Sequence, residues 1–222
     1  EDGSFTCTLF MPFEGDKNAF DNLDSKDKVN DFFQSTFPDF YEMMPNIAAA
    51  WGDHPLSSLA IMRCEPWAIG KTALMGDAAH ATVPFYGQGM NSGFEDCTVL
   101  SDLMKKHNEN WDLIFDEYNK TRKADGDAVQ DLSIHNYYVM RDHVADPKFL
   151  LQKKIEAHFS KNHPEKWMPL YSQVSFSNIP YSEALQVGKK QDDIMKKVME
   201  NFSNIEDVWD SKEVEEKIIA LI

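Results

Sequence analysis

The sequence predicts an α/β (α+β) chain with a C-terminal helical region, on three observations. The run Lys71-Thr72-Ala73-Leu74-Met75 ends at Gly76-Asp77 and leads through a glycine-rich loop into an apolar-periodic segment, the strand, loop and helix order of an open sheet. Residues 1 to about 15 alternate, with Phe5, Cys7 and Leu9 on one side, as a half-buried strand does. From Asp146-Pro147 onward, long stretches have apolar residues at helical spacing.

Taken in order, the N-terminal strand is followed by a helix over about 25–36, with Val29, Phe32 and Phe33 at helical steps and Pro38 as its stop. A short helix from about Phe40 to Ala50 ends at Gly52, and Ser57–Cys64 and Ala68–Met75 are strand candidates turned at Pro66. After the loop, Phe94, Cys97, Leu100, Leu103 and Met104 make one buried helix face, and Ser92-x-x-Glu95 fits a capping box at its start. A longer helix runs from about Trp111 to Val144, softened at Gly126. Phe149–Phe159 and Tyr181–Leu221 read as helices, with an alternating, strand-like stretch from Tyr171 to Ile179 between them. Three pieces follow: part of a sheet domain at 1–60, a cofactor-binding segment at 61–145 and a helical domain at 146–222.

Composition narrows the function. With 222 residues, 42% hydrophobic, the chain is long and apolar enough for a sizeable core. A formal net charge of -15 argues against nucleic acid as the partner, because phosphate binding needs clustered Lys and Arg. The pairs Lys105-Lys106, Lys153-Lys154 and Lys189-Lys190 read as solvated helix faces. Three scattered cysteines make no disulfide framework, and the seven histidines show no ligand spacing, so no metal site is expected. No window approaches the roughly 20 apolar residues of a membrane span. The chain opens mid-pattern without a methionine, which reads as a fragment lacking an N-terminal part.

The segment from Gly76 to Asp96 concentrates the chemistry. Asp77, just after a glycine at a strand end, can present its carboxylate to hydroxyl groups. Gly87, Gly89 and Gly93 allow positive φ and let a flat ligand approach the main chain, while Pro84 stiffens the loop. Asn91 or Ser92 can cap the next helix, whose first amides then point into the loop and favour an anion or an electron-rich carbonyl. The glycine spacing misses the dinucleotide fingerprint by one residue. Farther on, Asn136 interrupts an apolar stripe of Val129, Leu132 and Met140 and needs a hydrogen-bond partner, for which a backbone carbonyl is the simplest candidate.

Gly76-Asp77-Ala78-Ala79-His80, together with the loop from Val83-Pro84-Phe85-Tyr86 through Gly87-Gln88-Gly89-Met90-Asn91, resembles the second flavin motif of the single-component, FAD-dependent aromatic hydroxylases. The resemblance implies a partial para-hydroxybenzoate-hydroxylase-like FAD-binding fold. It implies that Asp77 binds the ribityl chain, that Gly89, Met90 and Asn91 lie along the flavin ring, and that Pro84, Phe85 and Tyr86 border the substrate. Within the family the likeness is to members whose substrate is an amino acid carrying an aniline ring. It implies that Asn136 and Tyr171 hydrogen-bond the substrate carboxylate, and that an arginine and a tyrosine from an absent N-terminal half complete those contacts. Arg63, Arg122 and Arg141 match no such position, His80 reads as structural or cofactor-adjacent, and no side chain here is assigned as a catalytic acid or base.

The implied reaction reduces FAD with NADPH and transfers one atom of O2 to the aromatic ring. Animal members carry a hydrophobic C-terminal anchor on the cytosolic face of the mitochondrial outer membrane; Ile218-Ile219-Ala220-Leu221-Ile222 is too short to be one. Two other readings stand beside this one: a flavin hydroxylase for a different aromatic acid, and a helical interaction module using the acidic tail from about 181 to 222.

Overall fold

Ser25 starts the first helix by accepting a hydrogen bond from the Lys28 backbone amide. That helix, α1 (Lys26–Thr36), buries Val29 and Phe33, one turn apart, and ends at Phe37. Pro38 then opens α2 (Pro38–Met43) at the first position, where a missing N–H costs nothing. The helix expected over Phe40–Ala50 is two pieces, because Pro45 interrupts it before α3 (Ile47–Ala50). Phe33 lies 5.6 Å from the Phe40 ring and 5.5 Å from Trp51, in a small core with Leu23, Ile47 and Ala48.

The computed structural model describes residues 2–222, and the chain divides into one unit ending at Ser58 and a second, Leu59–Ile222. The strand expected over 1–15 does not form among the described residues. Phe5 is 93% exposed, and the carbonyls of Pro12 and Phe13 are taken by the amides of Phe20 and Asp21 in a 3-10 turn. Alternation marks a strand only where a neighbouring strand supplies a ladder.

In the second unit the sheet is a single antiparallel pair, β1 (Ala68–Ile69) and β2 (Thr72–Ala73), with Ala68 opposite Ala73 and Ile69 opposite Thr72. The Ser57–Cys64 strand is therefore not formed. That segment is held instead by the Gln130 side chain, which donates to Met62 O at 2.7 Å, and by a Met62 amide bond to Ala81 O. Among the described residues the chain is mainly helical, a correction to the balanced α/β expectation.

Helices follow from β2 onward: α4 (Asp77–His80), α5 (Gly89–Lys106), α6 (Trp111–Tyr138) running into a π-helical turn at Val139–His143, and α7 (Pro147–Asn162). The C-terminal set is α8 (Leu170–Phe176), α9 (Tyr181–Asn201), α10 (Ile205–Val208) and α11 (Lys212–Ile219). The Tyr171–Ile179 strand reading fails because Leu170 and Val174, four residues apart, face one core together with Val129, Leu132 and Ala184. The helix expected over Tyr181–Leu221 is three pieces, the last capped by Ser211, whose hydroxyl accepts from Val214 N. A second core of Ile155, Phe159, Trp167, Met195, Val198 and Ile218 joins α7, α9 and α11.

Gly126 does not soften α6. It is the gap that lets helix and indole approach: a Cβ there would stand 2.3 Å from Trp67 Cη2 and 3.3 Å from His80 Cβ.

Candidate functional site

The turn from β2 into α4 depends on Gly76, whose φ of 55° and ψ of -139° suit only a residue without a side chain. Asp77, the first residue of α4, is exposed. Seven residues after the end of α4, Gly87 (φ 67°) turns the chain into α5. Between these two turns lies an open cleft of about 660 Å³, lined by Gly76 and Asp77 on one side, Pro84 and Gly87 along the loop, and Gly89 and Met90 at the helix start.

Gly89 and Gly93 are helical rather than positive in φ, so their part is different from that of Gly87. A Cβ on Gly93 would sit 3.6 Å from Gly76 Cα, which measures how closely the two walls of the cleft meet. The expected capping box is absent: α5 begins at Gly89, four residues early, with Gln88 at the cap position and Ser92 buried inside the helix. Gln88 organises the loop instead. Its Oε1 accepts from Asn91 Nδ2 at 3.0 Å and from the Tyr181 hydroxyl at 3.2 Å.

The other assigned residues meet the same loop at Phe85 and Tyr86. Asn136 Nδ2 donates to Phe85 O at 2.7 Å, so the backbone carbonyl required by its place in an apolar stripe is present. Met140, the end of that stripe, is 50% exposed and outside the core. Phe85 packs on Tyr137 at 4.9 Å between ring centroids, and the buried Tyr86 ring stacks on Tyr171 at 5.6 Å. Burial, with the nearby Tyr171 and Asp192, pushes the Tyr86 hydroxyl up to about 12, so it is a neutral phenol at ordinary pH. Asp77, Gly89, Met90 and Pro84 thus share one cleft. Asn136 is joined to Phe85 by a hydrogen bond and Tyr86 to Tyr171 by a ring stack, and the side chain of Asn91 turns to Gln88.

Beneath the cleft lies a charged network that the sequence reading left out. Asp96, fully buried, accepts from Gly76 N at 2.9 Å and pairs with His80 Nε2 at 2.7 Å through one oxygen. Its other oxygen accepts from Arg122 Nε at 2.9 Å. Arg122, 2% exposed, also meets Glu95 at 3.1 Å and Asp125 at 3.4 Å, and Asp125 accepts from both the amide and the hydroxyl of Ser182. A signal was present in the spacing. Asp96 falls in the row Asp96, Leu100 and Leu103 on α5, and Arg122 in the row Ile114, Tyr118 and Arg122 on α6, so opposite charges occupy two apolar stripes.

Burial works against the Asp96 carboxylate, but the hydrogen bonds from His80, Gly76 and Arg122 outweigh it and hold its pKa below the ordinary 3.8. A depressed carboxyl contributes stability that is present above its unfolded value and lost as pH falls through the folded one. Stability of the second unit is therefore expected to hold from neutral pH down to about 5 and to decline below about 4. Urea denaturation across that range checks it, and a flat profile to about pH 3 would contradict it.

The same fit can be tested for a flat, hydroxyl-bearing cofactor. The cleft offers a free carboxylate at Asp77, a wall without bulk at Gly76, Gly87 and Gly89, and the unpaired first amides of α5, and these suit a flavin.

Comparison with known proteins follows the same line. The family model described as an FAD binding domain matches residues 48–133. Kynurenine 3-monooxygenase of Flavobacterium johnsoniae is 52% identical over 222 residues, taking in 100% of this chain and 49% of that protein. The Myxococcus xanthus kynurenine 3-monooxygenase is 42% identical over 209 residues, covering 94% of this chain and 45% of the relative. That of Dictyostelium discoideum is 39% identical over 211 residues, covering 89% and 46%. The chain spans about half the length of the curated relatives it matches.

Proposed function

The chain belongs to the kynurenine 3-monooxygenase family, and we propose that the protein carrying it hydroxylates L-kynurenine to 3-hydroxykynurenine, with FAD as cofactor and NADPH and O2 as co-substrates. The observation that carries this reading is the cleft in which Asp77, Pro84, Gly89 and Met90 converge, within a segment that matches an FAD binding domain.

When bound, FAD supplies the redox chemistry, taking reducing equivalents from NADPH and activating O2. The residues of this chain bind and orient. Asp77 accepts hydrogen bonds from the ribityl hydroxyls. The amides of Gly89, Met90 and Asn91, unpaired at the helix start, face the electron-rich edge of the ring and stabilise negative charge there. On the other side of the loop, Pro84, Phe85 and Tyr86 form an apolar wall that excludes water from the reacting ring. The Tyr171 hydroxyl and Asn136 Nδ2 donate to the substrate carboxylate, Asn136 keeping its bond to Phe85 O and giving up its weaker 3.8 Å contact with Met140 Sδ.

The charged partner of that carboxylate and the adenine and pyrophosphate half of the cofactor site are assigned to the N-terminal half of the protein, outside this chain. A para-hydroxybenzoate-hydroxylase-like fold and the division at 1–60, 61–145 and 146–222 belong to the same proposal. So does the location on the cytosolic face of the mitochondrial outer membrane that the resemblance implies. Among the described residues no helix is long and apolar enough to cross a membrane.

The test uses the full-length protein. It should purify yellow, oxidise NADPH faster when L-kynurenine is added, and release 3-hydroxykynurenine. A full-length protein without flavin would refute the reading. Asp77→Ala removes a charge-assisted contact and should raise the Kd for FAD by about tenfold or more, measured by quenching of flavin fluorescence on titration.

A further inference from the structure

We propose that Asp96 is a positioning residue of the flavin site, holding the Gly76–Asp77 turn and the start of α5 in one register so that Asp77 and the α5 amides meet the same flavin. The inference rests on the flavin reading above and adds to it a residue outside the cleft.

The two walls of the cleft come from separate elements. One is the turn at Gly76 with Asp77 at the head of α4; the other is the first two turns of α5. Asp96 belongs to the second wall but its side chain grips the first. One carboxylate oxygen accepts from the Gly76 amide at 2.9 Å and from His80 Nε2 at 2.7 Å, at either end of the segment that bears Asp77. Gly76 adopts its positive-φ conformation at no steric cost but, as a glycine, has many others open to it. The hydrogen bond from its amide to a fully buried carboxylate selects this one.

The same carboxylate also fixes the orientation of the His80 ring. An ionised carboxylate that accepts from Gly76 and Arg122 takes an N–H from His80 Nε2 as well, while His80 Nδ1 is buried with no partner. The ring therefore cannot rotate without breaking its bond to Asp96 and losing its contact with Trp67, 5.2 Å away between ring centroids. The far oxygen of Asp96 is held by Arg122 at 2.9 Å, so the gripping oxygen has no freedom to leave the turn. The close approach of Gly93 to Gly76 is a second, independent sign that the two walls are set against each other.

Asp96→Asn in the full-length, flavin-loaded protein tests this. Asparagine has one carbonyl oxygen and can satisfy either Arg122 or the Gly76 and His80 pair. Arg122 keeps Glu95 and Asp125, so the variant should fold, as judged by circular dichroism. The expected result is a Kd for FAD raised about tenfold, a displaced flavin absorption band, and a KM for L-kynurenine at saturating FAD within about twofold of the wild type. A folded Asp96→Asn protein with wild-type Kd and an unchanged band would overturn the proposal. Wild-type protein that binds no flavin would instead overturn the flavin reading.

Hydrogen exchange of the wild-type protein gives a measurement that does not depend on the variant folding. The Gly76 amide, bonded to buried Asp96, should exchange at least about tenfold more slowly than the Gly87 amide, bonded to Pro84 O in an exposed turn. Equal rates at the two glycines would overturn the proposal by themselves.

Discussion

Arg122→Leu is expected to cost the Leu59–Ile222 unit about 3–5 kcal/mol, the penalty for leaving a buried charge without its partner. Leucine fills much of the space but supplies no donor. Asp96, fully buried, would keep only Gly76 and His80, while Glu95 and Asp125 would lose the cation between them. Burial opposes the charge on Arg122, but its hydrogen bond to Asp96 and the charges of Glu95, Asp96 and Asp125 outweigh it and raise its pKa above the usual value. Urea denaturation followed by tryptophan fluorescence measures the loss, and a change under about 1 kcal/mol would show that the network is not holding α5 to α6. Paired replacement of Arg122 and Asp96 by apolar residues should recover part of it, because no single charge is then stranded.

Gly126→Ala is the second large effect, of about 2–3 kcal/mol. Alanine normally favours a helix interior over glycine by about 1 kcal/mol, so the sign here is decided by packing. Its Cβ would stand 2.3 Å from Trp67 Cη2 and 2.6 Å from Cζ2, and this rigid ring is 1% exposed with no room to swing away. Any displacement of the indole reaches His80, whose ring centroid lies 5.2 Å away. A lower melting temperature together with weaker FAD binding is the expected outcome in the full-length protein. Gly188→Ala is the control. There a Cβ meets the end of the Leu170 side chain at 2.7 Å, and a leucine can change rotamer where an indole cannot. Equal losses at the two glycines would contradict the distinction.

The helical parts of the chain were legible where one face is apolar and the ends carry a stop signal. Pro38 after α1, and the row from Leu100 to Met104 on α5, are examples. Of the strands only the Ala68–Met75 candidate was legible, and it holds two short strands rather than one. Phe5, Cys7 and Leu9 alternate as a strand should, but a ladder is made between segments and the pattern of one segment cannot supply the other. Tyr171–Ile179 misled for a related reason, since Leu170 and Val174 satisfy a helical period that the alternation with Ser175 and Ser177 hides. The loop from Gly76 to Asn91 was legible as a unit because its residue types each answer a backbone requirement. The network under it was not, because a carboxylate or an arginine in a helix normally signals a solvated face. Only the coincidence of Asp96 and Arg122 with two apolar stripes marks them as exceptions.

The bonds from Tyr181 to Gln88 and from Ser182 to Asp125 join positions 93 and 57 residues apart in the chain. During synthesis, Gln88 and Asp125 leave the ribosome long before their partners do. The loop that borders the cleft therefore waits, with its polar groups in water, until the start of α9 has emerged. A chain cut before residue 181 is therefore expected to leave Gln88 and Asp125 without these partners.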